Sequence, residues 1–210
     1  MARLIDPKCK QCRRAAEKLF LKGERCYLPK CAMNKRPYPP GMTGKNTRRG
    51  GLSEYGRQLL QKQKIKKTYG VFEKQLKKYF KDAQAKKGDA RENLMCRFET
   101  RLDNVVFRLG WAKSRAAARQ LVNHGHVMIN GKRVSIPSYQ VRKGEAISLT
   151  DKTNKSKLTE GLLASLKKFQ APTWLAQEPE KLEAKVLGEP TGEDLGDISS
   201  IGLIVEFYSR

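Results

Sequence analysis

Ser114-Arg-Ala-Ala-Ala-Arg-Gln-Leu-Val-Asn-His-Gly-His-Val-Met-Ile-Asn-Gly131 changes its apolar period partway along, and that change decides the fold. Ser114 is placed to cap a helix by accepting from the free amides of its first turn. Ala118, Leu121 and Val122 give that helix an apolar stripe, and Gly125 suits the left-handed residue that closes it. From Val127 the period becomes two: Val127 and Ile129 alternate with Met128 and Asn130. Asn130-Gly131 then supplies the positive φ angles of a tight hairpin before Val134 resumes a strand. Val141 to Leu149, turning at Lys143-Gly144-Glu145, repeats the device. Upstream, Leu102, Val105, Val106 and Leu109 recur at i, i+3, i+4 and i+7, which predicts a helix ending near Gly110. Glu99 to Leu149 therefore reads as one module of two helices and a small antiparallel sheet.

Such a module leaves a surface carrying Lys113, Arg115, Arg119, His124, His126, Lys132 and Arg133, with almost nothing acidic opposing them. Arg115 and Arg119 are one helical turn apart, so both guanidinium groups can hold successive phosphates of a nucleic-acid backbone. Taken alone, the same face is equally a solvated basic surface. The order of residues favours binding. Ser-Arg, Ala-Arg-Gln-Leu-Val, His-Gly-His, Asn-Gly, Pro137-Ser138-Tyr139 and Val141 together resemble the small RNA-binding module named after small-subunit ribosomal protein four, which grips structured RNA.

Charge points the same way. The chain has 210 residues, 44 of them Lys or Arg against 21 acidic, for a net charge of +23. That excess repels itself unless a polyanion neutralises it. Residues 1–50 carry 14 basic and 3 acidic side chains, 51–98 carry 13 and 5, 99–150 carry 9 and 3, and 151–210 carry 8 and 10. The partner is thus gripped by the first three quarters. Apolar residues make up 39%, below the roughly 45 to 50% of ordinary globular domains, so the cores are modest. A membrane surface is the other common polyanion, but no basic helix shows a broad apolar face and no long aliphatic run is present. The opening residues, MARLIDPKCK, lack the apolar core of a secretion signal, so the protein is expected to stay inside the cell.

Five cysteines in such a chain argue for metal rather than disulfides. Cys9-x2-Cys12, thirteen residues, then Cys26-x4-Cys31 brings two close pairs into one short segment, as a closed site of four thiolates requires. The segment has too few apolar residues to fold unaided, and a crosslinking ion supplies what its core lacks. Zinc suits four thiolates, and a 4Fe-4S cluster accepts the same ligands. Cys96 reads as a small buried residue with no catalytic role.

Arg36-Pro-Tyr-Pro-Pro-Gly is a stiff, extended connector in which Tyr38 can stack on a base or pack on a neighbouring helix. Helices are predicted from Ser53 to about Thr68, with Tyr55, Leu59, Leu60 and Ile65 inside, and again over Phe72 to Ala83. Residues 86–91 read as a loop. Asp151 to Lys157 reads as polar, Leu158 to Phe169 as an amphipathic helix, and Glu178 to Gly196 as an acidic Pro- and Gly-containing loop. Leu203 to Tyr208 reads as a last strand returning to the first helical domain.

The cysteine knuckle, the Pro-Tyr-Pro-Pro turn, the Arg-Gln-Leu-Val and His-Gly-His module and the closing Val-Glu-Phe-Tyr-Ser-Arg together resemble bacterial-type small-subunit ribosomal protein four in its cysteine-bearing form. The expected fold class is α+β: a mainly helical discontinuous domain with an N-terminal metal knuckle, plus an inserted RNA-binding module. The divisions are 1–45 for knuckle and connector, 46–96 with 198–210 for the helical domain, and 97–197 for the domain containing the module, 99–150. The resemblance implies primary binding to small-subunit ribosomal RNA, nucleation of the subunit body, an influence on translational accuracy, contact with ribosomal protein five and other small-subunit proteins, and in some relatives repression of the operon's own messenger RNA. It implies a cytoplasmic or organellar ribosome and neither a membrane nor a small-molecule substrate. The metal ligands are Cys9, Cys12, Cys26 and Cys31. Candidate RNA contacts are Arg3, Arg13, Arg14, Lys22, Arg36, Tyr38, Arg48, Arg49, Arg57, Lys62, Lys66, Lys113, Arg115, Arg119, His124, His126, Lys132 and Arg133. An RNA-modifying enzyme using the same module is the alternative. Both histidines lie inside the module, however, and no nucleotide-cradling glycine motif or carboxylate pair stands outside it. A zinc-containing DNA binder is a third reading.

Overall fold

A computed structural model describes residues 5–42, 44, 51–150, 162, 163, 166, 169–178, 181–191, 194 and 199–209. The chain forms two compact units, Met1–Leu94 with Asp197–Arg210, and Met95–Gly196. The first unit holds α1 (Lys8–Ala15), a 3-10 turn at Gly23–Cys26, α2 (Ala32–Lys35), α3 (Glu54–Tyr69) and α4 (Glu73–Ala85). Ser53 starts α3, its Oγ accepting from the Gly56 amide at 3.2 Å. Along α4, Leu76, Tyr79, Phe80 and Ala83 are buried at the helical spacing that the sequence predicts. A further helix, α5 (Ala90–Glu99), crosses the boundary between the units.

The expected strand at Leu203–Tyr208 is instead helical, as part of Ser199–Ser209. The alternation over Leu203, Val205 and Phe207 competes with a helical set, Ile201, Ile204 and Tyr208. Burial of Ile201 and Ile204 on α3's side of the unit selects the second. Gln58 on α3 donates to Glu206 at 3.1 Å, and the rings of Tyr55 and Phe207 lie 5.6 Å apart. The segment does return to the first helical domain, but as a helix.

The second unit packs α6 (Leu102–Arg108) and α7 (Arg115–Asn123) on an antiparallel sheet of β1 (Val127–Ile129), β2 (Lys132–Arg133), β3 (Ala146–Leu149), β4 (Leu175–Glu178) and β5 (Glu183–Val186), in the order β2-β1-β3-β5-β4. One continuous core joins Leu102, Val105, Val106 and Leu109 of the first helix region to Ala118 and Val122 of α7 and to Val127, Ile129, Ile147, Leu149, Ala184 and Val186 of the sheet. Three expectations change here. The sheet is larger than the module, because β5 forms inside the acidic loop expected over Glu178–Gly196 and pairs with β4, which ends where that loop was expected to begin. Leu182, Ala184 and Val186 alternate inward there with exposed Glu183 and Lys185. The hairpin return begins at Lys132 rather than Val134. Val141 forms no second hairpin: its amide donates to the Thr100 carbonyl at 2.9 Å, while β3 pairs with β1 and β5. The expected linker at Asp151–Lys157 lies outside the described residues. So does most of the expected helix Leu158–Phe169, within which Leu166 is buried in the core.

Candidate nucleic-acid interface

The module's basic rim is built by the turn from α7 into β1 and by the β1–β2 hairpin. Ser114 accepts from the Ala117 amide at 3.2 Å and fixes where α7 begins. The chain leaves α7 through Gly125 at φ +68 and returns through Asn130 and Gly131, both also at positive φ. This brings His124, His126 and Arg133 together. Arg133 Nη2 donates to the His124 carbonyl at 2.7 Å, and the two imidazole centroids are 6.0 Å apart. His124, Lys113, Lys132 and Arg133 are exposed, and His126 is half-buried.

Arg115 and Arg119 are placed differently from the expected open edge. Asp103, almost fully buried, accepts from Arg119 Nε at 3.0 Å and from the buried Arg101 at 2.8 Å. Arg115 donates to Asn104 Oδ1 at 2.7 Å and lies over the Phe107 ring at 4.6 Å. Asn104 in turn donates to buried Glu99 at 2.8 Å, and Glu99 receives both Arg108 nitrogens at 2.8 and 2.9 Å. The expectation that almost nothing acidic opposes the basic residues is thus corrected. Asp103 and Glu99 anchor one side of the cationic face, Asp103 tying α6 to α7 through Arg119 and Glu99 tying the end of α5 to α6, and the arginines still outnumber them. Sequence reading missed Glu99, Arg101, Asp103 and Asn104. The available signal was their position, charged and amide residues flanking the apolar stripe at Leu102 and Val105, where burial demands partners.

In the first unit several cations turn inward. Lys62, an expected RNA contact, is 7% exposed, donates to Glu73 at 2.8 Å and sits 4.2 Å from the centre of the Phe207 ring. Lys66 donates to the same carboxylate at 3.2 Å. Both are placed to hold α3 against α4, which corrects their placement on an open surface. Tyr208 donates its hydroxyl to Glu73 at 2.6 Å. Burial would raise the Glu73 carboxyl, but hydrogen bonds from Lys62, Tyr208 and Lys66 outweigh it and hold it at about 2. Arg13 donates to the carbonyls of Tyr38 and Pro39 at 2.9 and 3.2 Å and lies 4.9 Å over the Tyr38 ring, tying the connector to α1. Arg14, Lys22, Arg36 and Arg57 are exposed, whereas Arg3, Arg48 and Arg49 lie outside the described residues.

Cys12, Cys26 and Cys31 are buried and Cys9 is half-buried, all as free thiols. Burial pushes the Cys12 thiol up against a lowering backbone hydrogen bond at Leu19, and the nearby Cys26, Cys9 and Cys31 push it further. The Lys22 amide donates to Cys26 Sγ at 3.4 Å. Among the described residues, no three or more His, Cys, Asp or Glu side chains form a ready metal cage. Among the described residues, the segment that carries the four thiols has a small buried cluster of Cys12, Ala15 and Leu19, with Leu21 and Met33 against it. Cys96 is half-buried, its thiol 3.8 Å from Glu189. Among the described residues no helix is long and apolar enough to cross a membrane.

Residues 3–99 match the ribosomal protein S4/S9 N-terminal domain and residues 100–147 match the S4 domain. Over the full length of both chains, the sequence is 50% identical to small ribosomal subunit protein uS4 of Halothermothrix orenii. It is 46% identical to uS4 of Thermus thermophilus over the same full span. The uS4A protein of Alkaliphilus metalliredigens is 52% identical, again over the whole of both chains.

Proposed function

Since the chain belongs to the uS4 family of small ribosomal subunit proteins, we propose that it is a structural, RNA-binding component of the small ribosomal subunit in the cytoplasm and not a catalyst. The observation that carries this reading is the cationic rim of the S4 module, where His124, His126 and Arg133 meet beside exposed Lys113 and Lys132. RNA helices are recognised through shape, phosphates and 2′-hydroxyls, which a broad positive surface serves better than a pocket. The partners are small-subunit ribosomal RNA and adjoining small-subunit proteins. The family resemblance extends this to nucleation of the subunit body, translational accuracy, contact with ribosomal protein five and binding to its own messenger RNA. The reading as an RNA-modifying enzyme gains nothing from the histidines, which belong to the basic rim.

The proposal includes a metal at Cys9, Cys12, Cys26 and Cys31. What supports it is the donor chemistry: four free thiols within one short segment, three of them buried, an amide donated to one sulfur, and little apolar core among the described residues to hold the segment otherwise. Zinc is the first choice and a 4Fe-4S cluster the alternative. The ion's contribution is a crosslink between the two cysteine pairs.

Titrating the protein with small-subunit ribosomal RNA and with duplex DNA at matched salt tests the function. Tighter, steeply salt-dependent binding to the RNA is expected. Replacing Lys113 and Lys132 by Ala should flatten the slope of log affinity against log salt by about 0.7 to 0.9 for each phosphate no longer neutralised. Equal affinity for both polymers, or indifference to the RNA, overturns the reading.

A further inference from the structure

We propose that the paired rings of Phe20 and Tyr27 form a stacking platform for an unpaired RNA base, with Lys22, Arg25 and Lys30 holding the phosphates beside it. The inference rests on the RNA-binding reading above and adds to it a second contact of a different kind, in the cysteine-bearing segment.

The two ring centroids are 5.0 Å apart at 32°. Tyr27 is 73% exposed and Phe20 41% exposed. Neither ring joins the local cluster of Cys12, Ala15 and Leu19, which recruits Leu21 and Met33 instead. An aromatic pair left in water beside an available apolar cluster forgoes the burial that normally places such rings. Phe20 stands at φ +49, a conformation that L side chains rarely adopt and that the surrounding structure must impose. Tyr27 follows the 3-10 turn Gly23–Cys26, its amide donating to the Glu24 carbonyl at 3.0 Å. Lys22, Arg25 and Lys30 are exposed, and Glu24 is the one acid between Phe20 and Cys31. Charge decides the occupant. An apolar protein side chain would satisfy the rings and leave three cations unanswered, whereas a nucleotide supplies a π face and phosphates together.

The test uses the full-length protein, bacterial small-subunit ribosomal RNA, and a single-stranded oligoadenylate carrying one 2-aminopurine. Binding of the oligonucleotide to the wild type is expected to quench 2-aminopurine emission. Tyr27→Leu should lose the quench and weaken oligonucleotide binding by about tenfold, while Tyr27→Phe keeps both. Lys22→Ala with Arg25→Ala should flatten the salt slope and leave the quench in place, which separates charge from stacking. If the wild type binds ribosomal RNA but Tyr27→Leu matches it in quench and affinity, the platform is overturned and the proposed function stands. If the wild type binds neither RNA, both fall.

Discussion

Gly125 sits where two constraints meet, and only one of them can be read from the chain. Its φ of +68 closes α7 and strains any L side chain there, and an added Cβ would fall 2.2 Å from Arg133 Nε, at the tip of an exposed side chain that can move aside. Gly125→Ala is expected to lower stability by about 1 to 2 kcal/mol, chiefly through left-handed strain, with the exposed Arg133–His124 hydrogen bond displaced at little further cost. Thermal unfolding checks this, and Arg133→Ala in the same chain should recover little of the loss. The left-handed closure follows from the end of the apolar stripe. The guanidinium above it does not, because Arg133 arrives from another strand. Lys62 teaches the same lesson with opposite sign. A run of cations in a helix reads as a phosphate-facing surface, and nothing local says that one of them is buried against Glu73, eleven residues on. Lys62→Ala should therefore cost about 1 to 3 kcal/mol of stability, as loss of a hydrogen bond to a charged group does, with RNA affinity little changed at constant folded fraction. A large drop in affinity in a fully folded variant would return Lys62 to the interface.

At the level of elements, the helix Ser199–Ser209 is held to α3 by Gln58–Glu206 and Tyr55–Phe207 and to α4 by Tyr208, whose hydroxyl bonds Glu73. That carboxyl ordinarily titrates near 4.5 and stands at about 2 in the folded chain. Folding therefore favours its charged form. The stabilisation is complete above about pH 4.5 and drains as pH falls towards 2. Tyr208 moves the other way: burial and its hydrogen bond to Glu73 raise its hydroxyl, so its contribution persists through neutral pH and is lost only in strong alkali. Glu73→Gln is expected to be less stable than the wild type at pH 7, with the difference shrinking steadily between pH 4.5 and 2. Denaturation midpoints across that range measure it, and a constant difference would remove Glu73 from the acid response. This docking also explains why the sequence alone favours a strand here. Ile204, Val205 and Phe207 carry strand preference, and burial of Ile201 and Ile204, with half-buried Tyr208 bonded to Glu73 of α4, overrides it. α7 is legible because its cap, stripe and closing glycine are all local. β5 is not, because its inward alternation of Leu182, Ala184 and Val186 is obscured by the acidic residues around it.

Across the whole molecule, positive charge and apolar burial are distributed unequally between segments. The second unit has a continuous core from α6 through the sheet and stands on it. The N-terminal segment carries 14 basic and 3 acidic residues in its first fifty, and among its described residues a small buried cluster, Cys12, Ala15 and Leu19, includes one of its four thiols. Spacing alone exposes the four cysteines as a set, since ligand pairs are local in sequence. Their burial and the binding of Tyr38 by Arg13 are not legible, because both depend on how the connector folds back. If a metal closes the cysteine set, its binding free energy, on the order of 10 kcal/mol for structural zinc, is the main stabilising contribution to residues 5–42 and none of that to 95–150. Chelation should then act on one segment alone. Limited proteolysis of the purified full-length chain, with and without a strong zinc chelator, is expected to open sites among Lys10 to Lys35 only when the chelator is present, leaving fragments of the S4 module intact in both. Cys9→Ser should reproduce the chelated pattern with no chelator added. Identical cleavage under all three conditions would mean that the thiols hold no ion and that their burial alone keeps the segment folded.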